Sequence, residues 1–408
     1  MGRCRDSLAI AFLVGRFPAR SETFISRKVD FLLAQGHDVH VFCKQCDGGV
    51  GHAAAWRRRI HAMRDERVAA LELVGAGARY ARALASRRIR AKQLQQAVSE
   101  AKEAAVGRRE SAVAISHLIN RRWDLVHAHF LCNLDRFAGL RSLVRCPIIG
   151  AVYGYDVTIC PHQDGGLRRL ETQVAQVNGL TYSSAFLRNA LHALVDVSAE
   201  EMILHPEVPT ELFRARTRAA PHSPLRLLSV GRLHWTKGFG YALSAVRLLL
   251  DDGLSCEYRI VGEGEARTEL EYTMRQLELT QDVRLQGAVP PEGVRDAMDW
   301  ADLLLLPSVR EDFGNVLVEA QASGLPIVAS KVGGTPEATK EAVTALLVPP
   351  RHPDALGAAV KALVSDKQRY RSFSEQGPEY AQKFRADRIG AQLLSFYESV
   401  LSRARTRG

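Results

Sequence analysis

Arg232 and Lys237 stand in Ser229-Val-Gly-Arg-Leu-His-Trp-Thr-Lys-Gly-Phe239, where an apolar run ends at Val230, Gly231 permits a tight turn and a helix is expected from about Gly238. Two fixed cations beside a helix N-terminus offer a diphosphate side-chain charge, backbone N–H donors and a positive dipole end. The same pattern also serves an ordinary strand–loop–helix with surface charges. A second constellation is Ser308-Val-Arg-Glu-Asp-Phe-Gly-Asn-Val-Leu-Val-Glu-Ala320, with Glu311 in a loop and Glu319 seven intervening residues on. A helix starting near Gly314 places Asn315 and Glu319 four apart on one face. Two carboxylates so spaced can accept hydroxyl hydrogen bonds from separate parts of one extended ligand, a ribose and a hexose being natural candidates. A third, Ser330-Lys-Val-Gly-Gly-Thr-Pro-Glu337, puts a glycine pair directly after a strand, where backbone can approach a ligand or simply turn.

Other patterns do less. Val261-Gly-Glu-Gly-Glu-Ala-Arg267 imitates half of a dinucleotide fingerprint, but Arg267 holds the third glycine position and no acidic residue ends a following strand at the right distance. Hydride transfer is therefore disfavoured. Cys43-Lys-Gln-Cys46 has no second Cys/His pair at metal spacing. The seven cysteines (4, 43, 46, 132, 146, 160 and 256) suit a reducing compartment better than a disulfide framework. No Asp-x-Asp pair occurs, so no metal site is expected at a diphosphate and its charge must be met by Arg232, Lys237 and helix dipoles.

The elements that must position these residues alternate as βα units, the pattern of parallel sheets. In the first half, strands are expected near Leu8–Val14, Val39–Phe42, Leu125–Ala128 and Ile148–Val152, with two or three helices in Ala53–Asn120. In the second half they fall near Leu225–Val230, Tyr258–Val261, Val283–Gln286, Leu303–Leu306, Ile327–Ala329 and Ala345–Val348. Leu204–Pro224 carries Pro206, Pro209, Pro221 and Pro224 and reads as a linker. After Pro350 the pattern is helical. The 408 residues, 46% hydrophobic and 25% charged, suit two α/β domains. Expected boundaries are 1–205, 206–224 as linker, 225–378, and 379–408 as a terminal helix returning to the first domain.

The net charge of +10 is uneven. Residues 1–220 hold 32 basic and 21 acidic side chains, residues 221–408 hold 23 and 24, and residues 51–110 alone hold 14 and 6. An anionic partner would meet that segment. It has no interleaved aromatics and no reader motif, which disfavours specific nucleic-acid binding. Leu8–Val14 is too short for a membrane span and lacks a cleavage site, so a cytoplasmic protein is expected, with peripheral attachment to the inner face of an anionic membrane.

Gly231-Arg232, Lys237-Gly238, Glu311-x7-Glu319, Gly-Leu-Pro-Ile-Val-Ala and Val-Gly-Gly-Thr-Pro-Glu stand in an order and spacing that resemble family 4 of the retaining glycosyltransferases, which have the GT-B fold: two Rossmann-like doubly wound α/β domains facing across a cleft. Phe17-Pro-Ala-Arg-Ser-Glu-Thr-Phe-Ile25, Asp124-Leu-Val-His-Ala-His-Phe130 and Tyr153-Gly-Tyr-Asp156 are most similar to its colanic-acid and exopolysaccharide branch. The resemblance implies a nucleotide-diphosphate sugar donor, UDP- or GDP-linked, no other cofactor, and a glycan or lipid-linked acceptor. Arg232 and Lys237 would hold the diphosphate, Glu319 the ribose and Glu311 the transferred sugar. Phe313, Gly314 and Asn315 would present backbone amides, while Gly262 and Arg284 would border the nucleoside. Gly15 and the helix start at Ser21-Glu22 would close the pocket. Many relatives read His-Gly-x-Asp where this chain has Tyr153-Gly-Tyr-Asp156. Asp156, His127, His129 and Tyr153 are therefore the candidates for the first domain's share of catalysis or acceptor binding. A sugar-nucleotide epimerase of similar architecture and a basic non-catalytic nucleic-acid- or membrane-binding protein are the rival readings.

Overall fold

The computed structural model describes residues 7–19, 22–46, 56, 59–62, 70–100 and 108–406, and these divide into two compact units, 1–204 with 390–408, and 205–389. Cys4, Ser21 and much of the basic segment 51–110 lie outside the described residues.

The first unit is built on a seven-stranded, wholly parallel sheet: β1 Ala9–Arg16, β2 Asp38–Gln45, β3 Ile60–Ala62, β4 Leu125–His129, β5 Ile148–Val152, β6 Gly179–Tyr182 and β7 Glu200–Ile203. Its order is β3-β2-β1-β4-β5-β6-β7. The chain winds outward from β1 in one direction and from β4 in the other, with Ile10 opposite Leu125 and Leu13 opposite Ala128 where the two meet. Every residue of β4 and β5 is buried. Such strands need helices on both faces, and their apolar runs made them readable. Among its described residues, the segment expected to hold two or three helices contains Ala70–Ala85, Ala91–Glu100 and Arg108–Leu118, and it also contributes the edge strand β3.

The second unit has six parallel strands, β8 Leu225–Val230, β9 Cys256–Val261, β10 Val283–Gly287, β11 Leu303–Leu306, β12 Ile327–Ser330 and β13 Ala345–Val348, in the order β10-β9-β8-β11-β12-β13. Strand periodicity of two divides its core. Leu303 and Leu305 of β11 join one hydrophobic cluster with Leu227, while Leu304 and Leu306 join another with Leu228. Each leucine so enclosed contributes about 1.5–3 kcal/mol. The Phe239–Asp251 helix adds Phe239, Ala242, Leu243, Val246 and Leu249 to the first cluster, an apolar stripe at helical spacing.

Residues 206–224 do not stand apart as a linker. Val208 N–H donates to the Phe384 carbonyl at 2.9 Å. The Arg218 guanidinium donates to the carbonyls of Ala301, Ser323 and Met298 at 3.2, 2.7 and 2.7 Å. Apart from the short 3-10 turn Thr210–Leu212 the proline-rich strap is irregular, but side-chain and backbone donors fasten it to the second unit. The terminal helix, Ala386–Thr406, returns from residue 390 onward to the first unit, where Gly179 lies against Phe396 and Val400, and Arg403 pairs with Glu200 at 3.2 Å. Among the described residues no helix is long and apolar enough to cross a membrane. Cys43 is buried on β2 while Cys46 is exposed beyond it, which separates the two thiols of the CxxC.

Candidate active site

In the second unit the chain leaves β8 toward β9 and reaches β11 on the other side. The C-terminal ends of β8 and β11 therefore border a topological switch point, where doubly wound sheets open a crevice. Both charged loops begin there. After Val230 come Gly231, the exposed Arg232, and a short 3-10 turn, Trp235–Lys237; Gly238 then enters the Phe239–Asp251 helix in a left-handed conformation. After Leu306 comes the Ser308–Gly314 loop, which feeds the Asn315–Ala322 helix. The Lys237 ammonium donates to Glu311 Oε2 at 2.6 Å, and Ser308 Oγ donates to the same oxygen at 3.1 Å. The Val309 N–H donates to the Thr236 carbonyl at 2.8 Å, joining the two loops through backbone.

Two more loops close on these. The Gly334 N–H donates to the Glu311 carbonyl at 3.1 Å, and Gly333, at φ 51°, sits where any Cβ would collide with that carbonyl. Gly262, at φ 147°, packs its Cα on the carbonyl of Gly231, whose N–H donates to Val261 at 2.9 Å. These glycines let four loops meet backbone to backbone, which holds Lys237 and Glu311 in place. Asn315 opens its helix and Glu319 follows one turn on, both half-buried. The Phe313 side chain is core, against His205 at 5.0 Å and Phe384 at 5.3 Å, so only its backbone is available to a ligand. Arg284 is not with the others. It is exposed near the start of β10, beside Arg259, at the end of the strand remote from the Gly262–Gly287 pairing. Its place on an edge strand removes it from the cluster.

The corresponding corner of the first unit lies between β1 and β4. Gly15, next to last in β1, lies against the Asn133 side chain, which donates to the His129 carbonyl at 2.6 Å. His127 and His129, two apart on β4, face the same way, their rings stacked 4.4 Å apart. Nδ1 of His127 pairs with Tyr397 Oη at 2.6 Å, and Nδ1 of His129 with Tyr153 Oη at 3.0 Å. Burial holds both imidazoles far below their ordinary pKa, and the nearly buried Lys28 ammonium adds to this, so both rings are neutral. Tyr153 also meets Phe24 at 5.1 Å, on the helix that Glu22 opens. Burial pushes the Glu22 carboxyl above its usual range, with Arg16 opposing.

Asp156 accepts the N–H groups of Tyr153 at 3.0 Å and Cys132 at 3.2 Å. Burial raises its carboxyl to about 6, against the backbone donors that favour its charge. His127, His129 and Asp156 are wholly buried, and the Asp156 carboxylate ties the turn after β4 to the loop after β5 through the N–H groups of Cys132 and Tyr153. Lys28, Tyr397 and Ser308 belong to these two clusters and were assigned no role from the sequence. Ser308 had the best signal, three residues before Glu311.

Two Rossmann-like sheets, with a cation–carboxylate pair at a switch point of the second, are the elements of the GT-B fold. Residues 213–380 match the family described as Glycosyl transferases group 1. The chain is 28% identical to the amylovoran biosynthesis glycosyltransferase AmsK of Erwinia amylovora over 87% of this chain and 90% of that protein. It is 26% identical, over the same shares, to the putative colanic acid biosynthesis glycosyltransferase WcaL of Escherichia coli K12. Among solved structures, Anabaena HepE in complex with UDP superposes with a TM-score of 0.70 at 16% identity, covering 96% of this chain and all of that one.

Proposed function

We propose that the protein transfers a hexose-type sugar, with retention of anomeric configuration, from a UDP- or GDP-linked donor to a growing polysaccharide or lipid-linked glycan. The observation that carries this reading is the Lys237–Glu311 ion pair, 2.6 Å long, at the mouth between β8 and β11. Its ammonium is held by a carboxylate on the neighbouring loop, with Arg232 exposed at the same strand end and a helix N-terminus directly behind. A diphosphate arriving there meets two cations and unpaired backbone donors, and its departure as leaving group is stabilised without reorganisation. Glu311 then turns to the sugar hydroxyls and Glu319 to the ribose. Attack comes from the face that the leaving group departs, and the phosphate oxygen takes the acceptor proton, so catalysis is positioning and electrostatics. The names of AmsK and WcaL support a polysaccharide acceptor, and the UDP in HepE supports a uridine donor.

The test is a panel of nucleotide sugars assayed by thermal shift, then by transfer to lipid extract. One nucleotide class should raise the melting temperature and, with acceptor, release free nucleotide diphosphate at a rate that added Mg²⁺ or Mn²⁺ leaves unchanged. Nucleotide release without acceptor would favour the epimerase, and no stabilisation by any donor would favour the non-catalytic scaffold. An absolute requirement for either cation would overturn the metal-free leaving-group scheme.

A further inference from the structure

In the first unit, one cluster has no part in donor binding. Cys132 lies on the turn after β4; Asp156 and Cys160 lie on the helix and turn after β5. One ligand atom from each of the three falls within 4.8 Å of the others. The two thiol sulfurs are thus no more than 4.8 Å apart. Zinc bound tetrahedrally at a Zn–S distance of about 2.3 Å holds its sulfurs roughly 3.8 Å apart, a separation that small side-chain rotations reach from there.

Asp156 is completely buried and its carboxylate is braced by backbone N–H groups, which leaves each oxygen further lone-pair capacity. Bracing of this kind is what orients carboxylate ligands in metal centres. A buried carboxylate calls for a cation, and the nearby Arg169 leans instead toward Asp135, at 3.9 Å. Cys132 is only half-buried, so an ion has a route in.

We propose that Cys132, Asp156 and Cys160 bind one thiophilic divalent cation, zinc by preference, with water in the fourth position. Binding replaces the two thiol protons, which leave to solvent, and ties the loop after β4 to the loop after β5. The site is built from the first unit alone and stands whether or not the transfer reaction is as proposed.

Cobalt(II) titration of the full-length protein, reduced and freed of metal, tests it. One equivalent should produce a sulfur-to-cobalt charge-transfer band that zinc abolishes. The band should persist in C43S/C46S and vanish in C132S/C160S. In the unmodified protein, zinc should slow alkylation of Cys132 and Cys160 roughly tenfold, with Cys46 unaffected, which decides the matter even if the double variant fails to fold. No band at excess cobalt, a band surviving in C132S/C160S, or alkylation indifferent to zinc would each overturn the proposal.

Discussion

At the scale of single residues the sequence named Lys237 and Glu311 but not their partnership. They stand 74 residues apart, and only the adjacency of β8 and β11 brings them to 2.6 Å. Glu311 restrains an ammonium that would otherwise wander over its rotamers, and under the proposed function a donor diphosphate competes for it. Arg232 is exposed, and neither cation fills a core. Lys237→Ala and Arg232→Ala are therefore each expected to lower turnover by a factor on the order of 10²–10³ with circular dichroism unchanged. Steady-state kinetics check this, and rates within twofold of the parent for both would remove them from the site. Arg284 misled because a cation on a strand gives no sign, in sequence, of which end of the sheet it occupies. Lys28 was invisible for the opposite reason, since nothing local marks a helical lysine as buried.

At the scale of elements, all six strands of the second unit were legible, β11, β12 and β13 as short apolar runs and β9 and β10 by alternation of polar and apolar residues. β3, β6 and β7 of the first were not. Gly179-Leu-Thr-Tyr182 interrupts its apolar run, and Glu200-Glu-Met-Ile203, half-buried at the sheet edge, has polar residues where a central strand would be apolar. The proline-rich strap was legible as irregular but not as bound. Its anchor is Arg218, and Arg218→Ala leaves three carbonyls short of a donor. A loss of about 2–3 kcal/mol is expected in urea unfolding, and a loss under 0.5 would show water replacing the guanidinium. Part of the basic segment is also described. Arg82, Arg87, Arg88, Arg90 and Lys92 are exposed around the turn between two helices, while Ile89 is buried and fixes that turn. Each such cation near an anionic surface contributes about 1 kcal/mol, fading over a Debye length of roughly 8 Å. Binding to anionic but not neutral vesicles is expected, released by high salt and weakened by R87E/R88E. Equal pelleting with both vesicle types would leave the turn a solvated surface.

At the scale of the whole molecule, the first unit encloses six histidines, His37, His40, His61, His117, His127 and His129, whose charged form burial disfavours, His117 down to about 4. In an unfolded chain these groups protonate near 6.5. Below that pH the unfolded state binds more protons than the folded one, so stability present above about 6.5 is lost as pH falls toward 4. Hydrogen exchange is expected to show the amides of β4 losing protection between pH 7 and 5 ahead of those of β8. The reverse order would mean that another group governs acid stability.

The return of the last helix to the first unit has a consequence for the ribosome. His127 is separated from Tyr397 by 270 residues. At roughly 5–20 residues per second, tens of seconds pass between their emergence. Throughout that interval the first unit lacks the helix that lies against Gly179 and pairs with Glu200. The nascent chain carries an uncovered apolar flank until that helix emerges, a flank for chaperones to shield, and any termination before residue 390 leaves it so.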